Sequence, residues 1–443
     1  EGPPGIVPRL LRDDATARVW FHQDRRFREP KTFVKCALRS PSVATSVRAH
    51  VMTDLYSRLA VEALNEFAYY AEIAGLEYNV SIATRGLQLT FGGFSHKLGV
   101  LAARVSEVMA ALEFDDATFA RVRDKAERDL RNFLMEQPYQ HAIYTLSHMT
   151  SIPRFHVKTK LTEIATVTAD ELRAFARPDG PLLRGLYAEA FVYGNASADD
   201  AADIVGSILR PLRAHPACAP LHVAEVPVAR GVTLPACGLE WVVDQDGENK
   251  EDGNAALECY YEAGPSQPAT SVVLEVLAHL VKEPCFNVLR TKEQLGYLVF
   301  SGVRAQNGVE GLRVLLQSNT TDPETLDSRV EAFLANFGSV LRAMPADEFA
   351  RNVAAVRTEL VRPDKTPKSE FKRAWAEVAD ASYVFRRAAH EARALDALTH
   401  ADVVAFFDAY VRRGGAMRRK LSTRVWPAAG PASAVEAAAG GGE

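Results

Sequence analysis

The 443-residue sequence contains an internal repeat, because the pattern of its first half returns in its second half. Glu72 and Gly75 recur at one common spacing as Glu293 and Gly296. Further pairs follow in the same order: Leu59 with Leu280, Glu62 with Glu283, Gly86-Leu87 with Gly311-Leu312, Phe119-Ala120-Arg121 with Phe349-Ala350-Arg351, and Leu130 with Leu360. A repeat on this scale predicts two similar structural units in tandem.

Each unit combines helical and strand patterns. In the first unit, an apolar residue returns every four positions from Val51 to Ala71, which predicts a helix over 44–74. Alternating residues over 76–83 and 86–91 predict two strands of a hairpin. The predicted fold class is α+β, with two tandem homologous domains, each a mostly antiparallel sheet covered by helices on one face.

Local composition suggests where the domains begin and end. We expect a lead-in segment over 1–30, a first domain over 31–215, a Pro- and Ala-rich linker over 216–237, a second domain over 238–426, and a disordered Ala/Gly-rich tail over 427–443. The chain begins with Glu1 instead of Met, which suggests a piece of a longer polypeptide.

Charge and cysteine content exclude several classes of protein. The 52 basic and 56 acidic residues give a net charge of −4, so no overall basic field predicts a nucleic acid partner. The best apolar run, 271–281, is cut by Glu275 and His279, and no stretch approaches the ~20 apolar residues of a membrane helix. The five cysteines are odd in number and form no C-x-x-C pair, which favours reduced thiols and a cytoplasmic protein.

Zinc peptidases commonly carry two histidines one helical turn apart, as in H-E-x-x-H or H-x-x-E-H. None of the eleven histidines has another histidine at that spacing. His279 and Glu283 are the nearest approach to a ligand pair, and two such residues are more often a polar pair on a helix. We therefore predict no metal site in this chain.

The most unusual local stretch runs from Glu283 to Gly302. A helix is predicted to end near Gln294, with Gly296 at the turn, so Arg290 and Tyr297 should lie near one edge of the sheet. A guanidinium and a phenol can both donate hydrogen bonds to a carbonyl oxygen that gains negative charge. From spacing alone, a structural role for these residues is favoured over a catalytic one.

This stretch also resembles the insulin-degrading enzyme branch of the pitrilysin family of zinc metallopeptidases. The residues that carry the resemblance are Pro284-Cys285-Phe286-Asn287, Arg290-Thr-Lys-Glu-Gln-Leu-Gly-Tyr297, Phe300-Ser-Gly302, Leu64-Asn65-Glu66-Phe67-Ala68-Tyr69, Ala74-Gly75-Leu76, Glu136-Gln137-Pro138, Ser328-Arg329-Val330-Glu331-Ala332-Phe333 and Trp20-Phe21. The resemblance extends from about Arg18 to Val425.

The resemblance implies a full-length enzyme of four homologous domains that close around a chamber for peptide substrates. This chain looks like the third and fourth domains, so zinc and the glutamate base would belong to an N-terminal half of the same polypeptide. Arg290 and Tyr297 would be catalytic, holding the substrate and stabilising the tetrahedral intermediate. Phe286 and Asn287 would bind substrate. The resemblance also implies a polyanion site near Lys365 and Lys368, and the family often forms homodimers.

Two other functions stay open at this level. The chain could be a stand-alone binding or scaffold protein built from degenerate peptidase domains, although such a protein has no need to keep an Arg290 and Tyr297 pair. It could also be an unrelated α+β enzyme that uses His279, Glu283 and Cys285. An upstream H-x-x-E-H sequence would favour the peptidase over the scaffold.

Overall fold

Residues 5–235 and 239–428 are described by a computed structural model, in which the repeat takes the form of two sheets with associated helices. The first half comprises β1 (Arg9–Asp13), β2 (Ala17–Gln23), β3 (Lys31–Arg39), α1 (Val47–Ala63), α2 (Asn65–Ile73), β4 (Leu76–Ala83), β5 (Gly86–Phe94), α3 (Ser95–Ala110), α4 (Asp116–Leu134), α5 (Pro138–Met149), β6 (Ser151–Ile152), α6 (Val157–Ile164), α7 (Ala169–Ala176), β7 (Tyr187–Gly194) and α8 (Ala198–Leu212).

The second half repeats this series after a short connecting region. It comprises β8 (Arg230–Gly231), β9 (Glu240–Asp246), β10 (Ala255–Pro265), α9 (Pro268–Cys285), β11 (Leu298–Gln306), β12 (Val309–Ser318), α10 (Pro323–Arg342), α11 (Ala346–Leu360), α12 (Pro367–Ala379), α13 (Arg387–Asp396), α14 (His400–Phe406) and β13 (Lys420–Trp426). The expected linker contains β8, which pairs with β6. The last two residues of that linker, 236 and 237, lie outside the described part of the chain.

The two sheets have matching topologies. The first has the strand order β1-β2-β7-β3-β5-β4, and the second has the order β11-β12-β10-β13-β9, so each strand of the second sheet has a counterpart in the first. Pairing is antiparallel between most neighbours and parallel between β2 and β7 and between β13 and β9. The predicted α+β class with mostly antiparallel sheets is confirmed.

The expectation of a lead-in segment over 1–30 is wrong in part, because β1 and β2 belong to the first sheet. Ala17, Val19 and Phe21 alternate into the core along β2. The partner of β2 is β7, far away in the sequence, so the local pattern gives no sign of the pairing.

The helix predicted over 44–74 is two helices. Ser46 caps the first by accepting a hydrogen bond from the backbone N–H of Ala49, and Leu64 separates α1 from α2. Gly75 then adopts a φ of +73°, a left-handed conformation that ends the helical segment and that glycine tolerates.

One face of each sheet packs against helices of its own half. Leu55 of α1 and Leu89 of β5 are fully buried in the first core, and Leu277 of α9 and Val314 of β12 are fully buried in the second. These cores account for the four-residue apolar spacing in the helices and the two-residue spacing in the strands.

The opposite face of each sheet is covered by a helix from the other half. In the first sheet, Phe371 and Trp375 of α12 pack against Phe191 and Tyr193 of β7, and the Tyr193 hydroxyl donates to Glu370 at 2.7 Å. In the second sheet, α5 plays the same part: its buried residues Ala142 and Leu146 pack against Ala256, Leu315, Val425, Tyr260 and Leu421. The two halves therefore exchange one helix each.

No helix in the described part of the chain is long and apolar enough to span a membrane. Four of the cysteines, Cys36, Cys218, Cys259 and Cys285, are free thiols, and Cys237 lies outside the described residues. Most of the expected tail, from residue 429 onward, also lies outside them.

Candidate functional site

The predicted site stretch forms a sharp corner between α9 and β11. Pro284 lies in the last turn of α9, and the chain continues into a π-helix over Phe286–Lys292. Proline lacks the N–H that would bond to the preceding turn, which favours a local departure from α-helical geometry. Leu289, fully buried, anchors the π-helical segment in the second core. Such single-turn π segments are often found at functional sites.

Two backbone features bring the chain from this segment into β11. Gln294 adopts a left-handed φ of 54°. A Cβ added to Gly296 would lie only 2.0 Å from the backbone carbonyl oxygen of Gln317 in β12. The corner can thus approach β12 this closely only with glycine at position 296. Tyr297 follows directly, just before the edge strand β11.

Arg290 extends from the π-helical segment and is exposed. Its guanidinium carbon lies 4.9 Å from the ring centre of Phe286, which is itself 42 % exposed. Among the described residues no carboxylate bonds to Arg290, whereas the nearby Arg329 is held by Glu293 through two hydrogen bonds. The Arg290 guanidinium is therefore held over an aromatic ring with its donors available to a ligand.

Tyr297 is 54 % exposed, and its hydroxyl group joins two glutamines. The amide nitrogen of Gln317 donates to the phenolic oxygen at 2.5 Å, and the phenol donates to the amide oxygen of Gln137 at 3.1 Å. Sequence reasoning noted Gln137 only within a resembling motif and missed Gln317. What distinguishes Gln317 in the structure is that it is a fully buried polar residue in the strand beside the corner.

The other predicted site residues fall in two places. Asn287 is exposed next to Phe286 on the corner. Lys365 and Lys368 lie instead around the start of α12, which covers the first sheet, so the structure does not place them on the corner. The Lys368 ammonium group forms an ion pair with Glu77 at 2.6 Å, which neutralises part of the charge that a polyanion would need.

The pair noted in the sequence, His279 and Glu283, does not fit a catalytic zinc centre. His279 and Glu283 are both exposed on α9. No group of three or more His, Cys, Asp or Glu side chains in the described ranges is arranged to hold a metal ion. A catalytic zinc needs three protein ligands, and this pair supplies two at most.

A separate cavity of about 910 Å³ lies between α9, the β11–β12 hairpin and α11–α13. Glu275, Glu310 and Glu391 are among the residues that line it. The pKa of Glu391 is raised to about 7, chiefly by burial; Arg387 opposes the rise, and the nearby carboxylates of Glu275 and Glu310 contribute to it. Sequence reasoning treated Glu275 only as a break in an apolar run, and His279 also as a possible partner of Glu283. Both Glu275 and His279 line this cavity.

Comparison with known proteins identifies the family. Residues 1–163 match the middle or third domain of peptidase M16, and residues 276–375 match the C-terminal lobe domain 4 of PqqF-like proteins. The insulin-degrading enzyme of Homo sapiens is 34% identical over 419 residues, covering 94% of this chain and 40% of that protein. Insulin-degrading enzyme-like 1, peroxisomal, of Arabidopsis thaliana is 32% identical over 95% of this chain and 43% of its own length.

A solved structure of pitrilysin has the same fold, with a TM-score of 0.84 and 23% identity over 94% of this chain and 43% of that one. The chain spans about two fifths of the length of these relatives. The chain therefore belongs to the M16 peptidase family, as a homologue of the C-terminal half of insulin-degrading enzymes.

Proposed function

We propose that this chain is the substrate-enclosing C-terminal half of an insulysin-like zinc metalloendopeptidase, which degrades peptides in a closed chamber. The observation that carries the proposal is the corner with Arg290 and Tyr297. Both side chains are exposed at the junction of helix and strand, and both carry hydrogen-bond donors. Homology to insulin-degrading enzymes along nearly the whole chain supports the same assignment.

Peptide hydrolysis passes through a tetrahedral intermediate whose oxygen carries negative charge. Donors fixed before the reaction stabilise such an oxygen better than donors that must reorganise. We assign this role to the Arg290 guanidinium and the Tyr297 hydroxyl. In the proposed whole enzyme, a zinc ion held by the N-terminal half would activate the attacking water. This chain would contribute donors and binding surface without a metal ligand.

Substrate binding follows from the same corner. The exposed ring of Phe286 offers an apolar surface for a peptide side chain, and Asn287 beside it offers an amide group for the peptide backbone. A polyanion site at Lys365 and Lys368 remains a weaker proposal, because Glu77 already pairs with Lys368. Homodimer formation and a cytoplasmic location also remain proposals.

The test is peptidase kinetics of the full-length protein. Removing a single oxyanion donor typically lowers kcat by about 10²–10³-fold, so Arg290→Ala and Tyr297→Phe should each lower kcat/KM on this scale with little change in melting temperature. Arg351→Ala and Tyr70→Phe, at exposed positions away from the corner, are the matched controls.

The isolated chain should cleave no peptide. Chelator-sensitive peptidase activity from the pure isolated chain would refute the proposal. A full-length protein that binds peptides and never cleaves them would favour the scaffold alternative instead.

A further inference from the structure

We propose that Gln137 and Gln317 are positioning residues that aim the Tyr297 hydroxyl proton at the substrate. The inference rests on the proposed function, because it concerns how the corner prepares one of its two donors. It adds two residues that themselves need not touch substrate. It also makes the first half of the chain a partner in the site of the second.

The orientation of the Gln317 amide is set by its surroundings. Its oxygen accepts a hydrogen bond from the backbone N–H of Tyr139 at 3.0 Å. A backbone N–H can only donate, so the oxygen of the amide must face Tyr139 and the NH₂ group must face the other way. Gln317 is 0 % exposed, so no solvent competes for these bonds.

The NH₂ group of Gln317 then fixes the role of the phenol. It donates to the Tyr297 oxygen at 2.5 Å and to the Gln137 amide oxygen at 3.2 Å. Because the phenolic oxygen accepts from Gln317, its own hydrogen points elsewhere. In the structure that hydrogen goes to the Gln137 oxygen at 3.1 Å.

Gln137 is suited to release this hydrogen. It is exposed and sits at the N-cap of α5, yet its side chain makes no capping bond to that helix. A small rotation of the phenol would exchange the Gln137 oxygen for a substrate oxygen that carries more negative charge, while the bond from Gln317 is kept. Charge-assisted hydrogen bonds are the stronger ones, so the exchange favours the reacting state.

The arrangement depends on the exchange of helices between the halves. Gln137 and Tyr139 belong to the segment that begins α5, while Tyr297 and Gln317 belong to the second half. Docking of α5 on the second sheet therefore sets the direction of the Tyr297 proton.

The experiment is a double-mutant cycle on peptide hydrolysis by the full-length enzyme. Gln317→Met, which keeps the side-chain length and removes the donors, should lower kcat about tenfold and leave KM within about twofold. Gln317→Glu keeps the acceptor for the Tyr139 N–H, but its carboxylate would accept the hydrogen bond of the Tyr297 hydroxyl. That hydroxyl would then point away from the substrate, so kcat should fall as well. In the Tyr297→Phe background neither substitution should lower kcat further.

Gln306→Met is the matched control, because Gln306 bonds to Ser147 and Ser151 at the other end of the same interface. It should leave kcat unchanged. If the losses from Gln317→Met and Tyr297→Phe simply multiply, the positioning role is overturned. If Tyr297→Phe alone leaves kcat unchanged, the proposed function of the phenol is overturned instead.

A second readout does not depend on activity. With 3-fluorotyrosine at position 297 of the full-length enzyme, Gln317→Met and Gln137→Met should shift or broaden the ¹⁹F resonance, and Gln306→Met should not. An unchanged resonance in both glutamine variants would overturn the inference whatever the kinetics show.

Discussion

Asp327 holds together a buried charge cluster, so we predict that Asp327→Asn strongly destabilises the chain. Its carboxylate lies 2.6 Å from the Lys420 ammonium group and 2.8 Å from the guanidinium of Arg424. Asp327 is 3% exposed and Lys420 is 2% exposed. The amide of asparagine has the shape of the carboxylate, but its NH₂ group would face a cation that has only donors to offer.

The magnitude follows from what remains after the substitution. Removing one partner of a buried ion pair costs about 3–5 kcal/mol, because the other charge stays buried. Lys420 keeps a second partner, Glu331, at 2.9 Å. We therefore expect the free energy of unfolding to fall by about 3 kcal/mol, near the lower end of that range.

The assay is urea unfolding of the isolated chain. The urea midpoints of the variants are compared, provided that the m value, the dependence of the unfolding free energy on urea concentration, is the same. Asp347→Asn is the matched control, because it breaks an exposed ion pair with Arg351 and should shift the midpoint little. A loss below about 1 kcal/mol for Asp327→Asn, or an equal loss for Asp347→Asn, would refute the reasoning. Asp327→Asn combined with Lys420→Met should recover part of the stability, because it removes a buried charge that has lost one of its two carboxylate partners.

The same cluster predicts a pH dependence. Burial by itself would raise the pKa of Asp327, but Lys420 and Arg424 outweigh it and hold the pKa below the ordinary value of 3.8. The ionised carboxylate therefore stabilises the fold at pH above this value, and the contribution is lost as the pH falls through the lowered pKa. The stability difference between the parent chain and Asp327→Asn should be full at neutral pH and shrink in acid.

Three further predictions concern other sites. Glu391 has a pKa of about 7 against an ordinary value of 4.5, so its ionisation destabilises the fold as the pH rises. Glu391→Gln should therefore raise the melting temperature at pH 8. This gain in melting temperature should vanish toward pH 4.5. Trp375→Ala should lower the free energy of unfolding, measured in urea, by about 3–5 kcal/mol. Limited proteolysis should then cleave the strands of the first sheet faster, although Trp375 belongs to the second half. Gly296→Ala should lower kcat of the full-length enzyme more than Gly253→Ala, because the added methyl group meets Gln317 in the first case and open space in the second.

The corner illustrates how far local sequence can go. Its motif of Arg290, Gly296 and Tyr297 predicted a helix, a turn and a strand edge, and these are found. The π-helical segment at Phe286–Lys292 was not predicted, because its backbone depends on Pro284 and on the burial of Leu289 against distant residues. The Gln137 and Gln317 pair was missed for a related reason, since the two residues are far apart in the sequence and meet only when α5 docks.

By itself, the sequence determined the repeat, the α+β class and the candidate donors, because periodicity and turn residues act over a few positions of the chain. Only the tertiary structure decided that β1 and β2 join the first sheet, that the halves exchange α5 and α12, and that Asp327 meets Lys420. Periodicity tells that a side chain is buried and leaves open what it is buried against. That choice depends on contacts between distant segments, which form only in the folded chain.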